Sequence, residues 1–365
     1  MIRLMDLGAE YRSIKKEIDE GIREIVDAQQ FTNGGHINRF EEEFARYLGI
    51  KNCVGVSSGS TALDLALFAL GIGESDEVIV PSFTFIATAE AVSHVGAKLV
   101  FCDSDYDTQN IDVDKLESLI TKKTRAIIPV HLYGSPCDMN RIMELAREYG
   151  LKVIEDAAQA QGAMYKGKKV SAIGDAGCFS FYPAKNLGAY GHAGAMVTDN
   201  DEVADKVRLL ANHGRRAHYY HEMIGYNYRM DSIQAKVLST KLVHLEEWNE
   251  NRRRLAEIYT DSLKDLPIGL PQRDNDKIPV YHLYVIRTDR REKLAEWLKE
   301  NGIETRVHYS LPLHLQPAYE HLGYKEGDLP VSERLAREVL SLPLYPCLEE
   351  DKVHRVVEKV KEFFS

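Results

Sequence analysis

Leu151-Lys-Val-Ile-Glu-Asp156 and, further along, Gly177-Cys-Phe-Ser-Phe-Tyr-Pro-Ala-Lys-Asn-Leu-Gly188 decide how this chain is read. Each opens as a short apolar run of strand length. The first closes on Asp156, and the second breaks at Pro183 into a Gly-flanked loop that holds Lys185. Outward from them, Asp76-Glu-Val-Ile-Val-Pro81, Ala97-Lys-Leu-Val-Phe-Cys-Asp103, Thr124-Arg-Ala-Ile-Ile-Pro-Val-His131 and Gly194-Ala-Met-Val-Thr198 have the same character. Helical patterns fall between several of them, as at Met139 to Tyr149. Repeated strand-helix-strand order predicts an α/β fold, with a largely parallel sheet covered by helices on both faces. Such sheets hold ligands beyond the carboxyl ends of their strands, and Asp156 lies at one of those ends.

A long helical pattern from about Ser232 to Leu263 leads out of this region. Beyond it come Val280-Tyr-His-Leu-Tyr-Val-Ile-Arg287, a helix over Arg291 to Asn301, a strand Ile303-Glu-Thr-Arg-Val-His-Tyr309, and two helices ending near Phe364. At 365 residues the chain exceeds the size at which one core keeps growing. Two domains are expected: a large one over 1–240 and a small α+β one over 241–365, linked by the 232–263 helix. Lys plus Arg number 46 against 56 Asp plus Glu, a net charge of −10 that repels nucleic acid and anionic membrane on average. The five cysteines, Cys53, Cys102, Cys137, Cys178 and Cys347, are odd in number and widely separated. They fit reduced thiols in a cytoplasmic protein better than a disulfide framework or a zinc site. No run approaches the ~20 apolar residues of a membrane span, so a soluble protein is expected.

A lysine between a strand and a Gly-flanked loop can form a Schiff base with an aldehyde cofactor. An Asp at the end of an earlier strand can hold that cofactor's protonated ring nitrogen. Pyridoxal phosphate requires both groups, because it withdraws electrons through a pyridinium that a carboxylate keeps charged. Alone, each residue also has an ordinary reading, as a solvated lysine or a capping aspartate. Val56-Ser-Ser-Gly-Ser-Thr-Ala-Leu63 adds a phosphate candidate, since Ser60 and Thr61 open the apolar helix that follows. Free N–H groups at a helix start attract a dianion, although a plain N-cap has the same signature. Gly71-Ile-Gly73 lacks the spacing of a dinucleotide fingerprint.

Taken together, Ser58-Gly-Ser-Thr-Ala-Leu63, Pro81-Ser-Phe-Thr-Phe85, Glu155-Asp-Ala-Ala-Gln159, Phe179 to Gly188 and Gly225-Tyr-Asn-Tyr-Arg-Met-Asp231 resemble the DegT/DnrJ/EryC1/StrS family of nucleotide-sugar aminotransferases. Val307-His-Tyr309 and Ser341-Leu-Pro343 extend the likeness, which runs from about Ile2 to Val360. The resemblance implies an aspartate-aminotransferase-like, fold-type-I subunit working as a homodimer with sites at the subunit interface. It makes Lys185 the Schiff-base lysine, Asp156 the partner of the pyridine nitrogen and Gln159 a neighbour of the ring hydroxyl. Gly59, Ser60, Thr61 and Ser180 would hold the phosphate, Phe85 would stack on the ring, and Asn227 would reach the phosphate from the other subunit. The chain departs from the pattern at Gly191-His-Ala-Gly194, where relatives commonly carry an acidic residue and two glycines, and at Ser60, where Thr is commoner.

The implied chemistry is transfer of an amino group from glutamate to a nucleotide-linked keto-hexose, with C3 of a 3-keto 6-deoxy sugar or hexuronate as the first reading, for lipopolysaccharide, surface-layer glycan or natural-product pathways. Lys185, its pKa lowered by burial and the nearby pyridinium, would move the proton. Tyr182, Arg229, His308 and Tyr309 are the candidates to face the sugar or its diphosphate. His308 reads equally as a satisfied strand-end histidine. Asn212-His-Gly-Arg-Arg-Ala-His-Tyr-Tyr-His-Glu222 either covers the nucleotide or is a solvated interface loop. No ligand pattern of carboxylates, or of groups that would orient the rings, accompanies its histidines, so no metal is assigned. Other readings are a 4-keto-sugar aminotransferase, a sugar 3-dehydratase, disfavoured because the dehydratases of this family carry histidine in place of the lysine, and a non-catalytic regulator that binds the cofactor.

Overall fold

A computed structural model describes residues 1–32 and 34–365. Its centre is a seven-stranded sheet made of β1 (Asn52–Val56), β2 (Glu77–Pro81), β3 (Lys98–Cys102), β4 (Thr124–Ile127), β5 (Lys152–Asp156), β6 (Ala176–Ser180) and β7 (Gly194–Thr198). The order across the sheet is β1-β7-β6-β5-β4-β2-β3. Only β7 runs against its neighbours; the pairings among β2 to β6 are parallel. The strands are apolar on both faces because both faces are covered, the usual condition of a parallel sheet.

Helix Gly59–Ala69 lies on one face beside Ala87–His94 and Asp201–Ala211, meeting Val54, Val80, Ile154 and Met196. Its residues are apolar nearly all round because it is packed on several sides. On the other face, Met139–Tyr149 buries Ile142 and Leu145, and Gly35–Leu48 buries Phe40 and Phe44. The Phe44 ring meets Phe179 edge-on at 5.0 Å and Phe181 at 5.3 Å, an arrangement that aromatic quadrupoles favour. The expected mostly parallel sheet with helices on both faces is therefore the one that forms.

The C-terminal part has its own core of Tyr259, Tyr284, Ile286, Leu294, Leu340 and Val356. It is built on the antiparallel pair β8 (Tyr284–Arg287) and β9 (Val339–Leu342), with helices Leu245–Leu263, Arg291–Glu300, Pro330–Glu338 and Glu350–Phe364. Ile2 bridges Ile303, and the Leu344 N–H bonds to Leu4 O at 3.4 Å. The first residues of the chain thus pack on this part, although the sequence division groups them with the other. Among the described residues no helix is long and apolar enough to cross a membrane.

Four elements differ from expectation. The 232–263 stretch is two helices, Ser232–Leu242 and Leu245–Leu263, interrupted at Val243 and His244. The first packs against Lys15–Ala28 and Gly35–Leu48, the second against Glu350–Phe364, so the chain changes partners between them. The 303–309 stretch forms isolated bridges, Ile303 to Ile2 and Arg306 to Ser341, and no strand, because the groups beside it offer no continuous ladder. The Thr124–His131 run stops as a strand at Ile127, two residues before Pro129, which has no N–H to give a ladder. The strand Asn52–Val56 was not anticipated; among the described residues its one partner in the sheet is β7, a pairing that no local pattern announces.

Candidate active site

The register brings the chemistry to one edge of the sheet. Asp156 lies opposite Cys178, while Gly194 lies opposite both Ser180 and Val56. The segments leaving Val56, Pro81, Asp156 and Ser180 therefore emerge side by side, and they carry Gly59, Ser60, Thr61, Phe85, Gln159, Tyr182 and Lys185.

Lys185 stands on a tight turn closed by its own N–H to Tyr182 O at 2.8 Å. The next residue, buried Asn186, donates to Asn249 Oδ1 and Val280 O, both at 2.9 Å, and so ties the turn to the second half of the chain. Burial lowers the Lys185 amine to a pKa of about 8, against the opposing pull of the Asp156 carboxylate. Asp156 itself is buried, which raises its pKa. The Thr88 hydroxyl donates to its Oδ2 at 2.8 Å and the Ala158 N–H to its Oδ1 at 3.1 Å, and both bonds favour the anion.

Gln159 faces the same cleft. Its Nε2 donates to the Tyr309 hydroxyl at 3.1 Å, and its Oε1 accepts the Tyr133 N–H at 2.7 Å. The Tyr133 hydroxyl donates to the His308 carbonyl, so these four residues join the sheet edge to the C-terminal part. His308 Nδ1 lies 2.8 Å from Ser341 Oγ. Burial, aided by Arg306 and Lys185, pulls this imidazole down to a pKa of about 4, so it is neutral near pH 7. The Phe85 ring is exposed, 6.0 Å from that of Tyr309, an aromatic face left open on the cleft.

At the start of helix Gly59–Ala69, Ser58 Oγ accepts the Thr61 N–H at 3.1 Å and Thr61 Oγ1 accepts the Ser58 N–H at 3.0 Å. Thr61 thus serves mainly as a cap, and the N–H groups of Gly59 and Ser60, which have no partners within the helix, are the donors for an anion. Ser180 stands against them: a Cβ on Gly59 would come within 2.7 Å of Ser180 Cβ. Phosphate at this cradle, an aromatic ring against Phe85, a pyridine nitrogen at Asp156 and an aldehyde at Lys185 match the groups of pyridoxal phosphate. The residues present fit that cofactor.

The remaining candidates lie at the rim. Tyr182 is exposed, with its ring 6.0 Å from that of His192. Asn227 is exposed on the segment that runs beside the cradle, where the Ser57 N–H bonds to Tyr228 O at 2.8 Å. Arg229 donates to Asn212 Oδ1 at 2.7 Å, which ties its guanidinium to the neighbouring loop. Within that loop, Arg215–Ala217 and Tyr220–His221 form a small hairpin, with Tyr219, Tyr220 and Ile224 exposed. Sequence reasoning missed Thr88, Tyr133 and Asn186. Asn186, beside the lysine, was within sight; nothing local marks the other two.

The model of the DegT/DnrJ/EryC1/StrS aminotransferase family matches residues 12–361. Over 366 residues the chain is 46% identical to a pleiotropic regulatory protein of Geobacillus stearothermophilus, covering 100% of this chain and 98% of that one. It is 46% identical over 363 residues to the dTDP-3-amino-3,4,6-trideoxy-alpha-D-glucose transaminase of Streptomyces venezuelae, with 99% and 96% covered. To the UDP-2-acetamido-2-deoxy-3-oxo-D-glucuronate aminotransferase of Pseudomonas aeruginosa it is 42% identical over 349 residues, with 96% of each covered. Among solved structures, S. venezuelae DesV in complex with a ketimine intermediate superposes with a TM-score of 0.98 at 46% identity, covering 100% of this chain and 98% of that one. NtdA of Bacillus subtilis with bound cofactor PMP gives 0.87 at 34% identity, covering 95% and 82%.

Proposed function

We propose, for a chain that belongs to the DegT/DnrJ/EryC1/StrS aminotransferase family and is a pyridoxal-phosphate-dependent sugar aminotransferase, that it aminates C3 of a nucleotide-linked 3-keto hexose with L-glutamate as donor. The observation that carries the catalytic reading is the pairing of a depressed lysine amine with a buried carboxylate in one cleft. The C3 position draws support from the names of the relatives, which include 3-amino-dTDP-sugar and 3-oxo-UDP-glucuronate enzymes. A reducing, cytoplasmic setting suits five free cysteines.

The bound cofactor supplies an aldehyde carbon that accepts the amino group and a ring that draws off electrons. Asp156, held as an anion by two donors, keeps the proton on the ring nitrogen. Lys185, as a free amine, would take the proton from the donor's α-carbon at Nζ and return it to the cofactor's former aldehyde carbon, on the far side of the nitrogen being transferred. With the keto-sugar it runs the same transfer in reverse. A pKa of about 8 leaves a useful neutral fraction near pH 7 while keeping Nζ basic enough to take the proton. Neutral His308, with Tyr309 and Tyr182, borders the sugar side, where an uncharged ring suits hydroxyl groups. Exposed Asn227, Tyr219, Tyr220 and Ile224 fit a second copy of the chain that completes the phosphate end of the cleft.

The test is incubation of enzyme and glutamate with dTDP- and UDP-linked 3-keto and 4-keto sugars, with the amino product identified by mass and NMR. A 3-amino product is expected. Exclusive 4-amination overturns the regiochemistry, and a bound cofactor whose visible absorbance does not respond to glutamate overturns the choice of donor.

A further inference from the structure

Asp156 has to stay an anion in a place that disfavours anions. It is buried at the end of β5, and burial is the largest influence on its protonation. The charged or titratable groups near it are Lys185 on the loop after β6, Cys178 on β6, Tyr309 in the C-terminal part, and His131 after β4. Cys178 and Tyr309 are themselves pushed up by burial and stay neutral. His131 Nδ1 accepts the Cys137 N–H at 3.1 Å, so the ring proton resides on Nε2, 3.0 Å from Glu155 Oε2 and directed to Glu155. No hydrogen bond from these groups reaches the Asp156 carboxylate; its donors are the Ala158 N–H, which is main chain, and the Thr88 hydroxyl.

Thr88 is in the first turn of helix Ala87–His94 and is almost fully buried. Its Oγ1 lies 2.8 Å from Asp156 Oδ2. A carboxylate offers only lone pairs, so the hydroxyl must donate. A β-branched side chain has few χ1 rotamers, in a helix mainly two for threonine, so the buried Thr88 hydroxyl has little freedom to turn away from Oδ2. With Oδ1 on the Ala158 N–H and Oδ2 on Thr88, the plane of the carboxylate is set before any ligand arrives.

We propose that Thr88 is a positioning residue of the cofactor site, whose hydroxyl fixes the orientation of the Asp156 carboxylate and holds it as the acceptor for the pyridine nitrogen. The inference rests on reading Lys185 and Asp156 as the cofactor pair. It assigns to the helix after β2 a part in the chemistry that neither the motif around Asp156 nor the loop of Lys185 reveals.

Thr88→Val, Thr88→Ala, Thr88→Ser and Asp156→Asn are compared with the wild-type holoenzyme by absorbance titration of pyridoxal phosphate and by the pH at which the visible band of the bound cofactor is lost on acidification. A hydrogen bond to a charged group is strong enough that its loss weakens cofactor binding about tenfold in Thr88→Val and Thr88→Ala. Without the donor the carboxylate protonates more readily, so the acid transition moves to higher pH. Thr88→Ser keeps the hydroxyl and is expected within about twofold of wild type. If Thr88→Val does not fold, Thr88→Ala against Thr88→Ser still isolates the hydroxyl. Equal loss in Ser and Ala, or no loss in either, overturns the proposal while Asp156→Asn still alters the spectrum. An Asp156→Asn protein with a wild-type spectrum and affinity removes instead the reading of the site on which the proposal stands.

Discussion

Replacing Lys185 by Met is expected to make the cofactor-free protein more stable while abolishing amino transfer. Burial depresses the amine from its ordinary 10.5 to about 8, so the folded state holds an ammonium less readily than the unfolded chain does. Below pH 8 both states are protonated, and folding then carries the full penalty. Between pH 8 and 10.5 the unfolded chain binds the proton and the folded one does not, so wild-type stability rises with pH, and above 10.5 the penalty is gone. At ~1.4 kcal/mol per pH unit the interval corresponds to at most about 3.5 kcal/mol. The side chain is only half-buried, and solvent screening reduces that to roughly 1–2 kcal/mol. Methionine fills a similar volume without a charge. Urea unfolding of both apoproteins at matched concentration, at pH 6.5 and again near pH 10.5, measures the difference. A Lys185→Met advantage that is the same at both pH values, or absent at pH 6.5, refutes the argument that desolvation tunes this lysine.

Two further outcomes follow from the same cleft. Because the neutral amine is the reactive form, the initial rate at which apoprotein takes up pyridoxal phosphate should climb with pH around a midpoint of about 8, reaching roughly a tenth of its plateau at pH 7; stopped-flow absorbance that is flat from pH 6.5 to 9 contradicts this. In Gly59→Ala the added methyl meets Ser180 Cβ at 2.7 Å. Overpacking of that kind costs about 1–3 kcal/mol; a thermal melt should show the loss, and cofactor titration a phosphate cradle weakened at least ~10-fold, because Ser180 is displaced along with the helix start.

The parts of this protein that short-range chemistry specifies were readable from residue order alone. Six of the seven central strands announce themselves as apolar runs, since a sheet covered on both faces needs no alternation. Lys185 and Asp156 drew their proposed roles from the sequence because few pairs of residue types in such settings could serve an aldehyde and a pyridinium. Tertiary structure alone decided the rest. Thr88 meets Asp156 from 68 positions away, and Tyr133 reaches His308 from 175. Helix 232–263 breaks because its two halves find different partners, and the amine at 185 becomes a base near neutrality through the atoms that pack around it. Desolvation and hydrogen-bond geometry belong to neighbours in space, and a linear order of residues does not contain them.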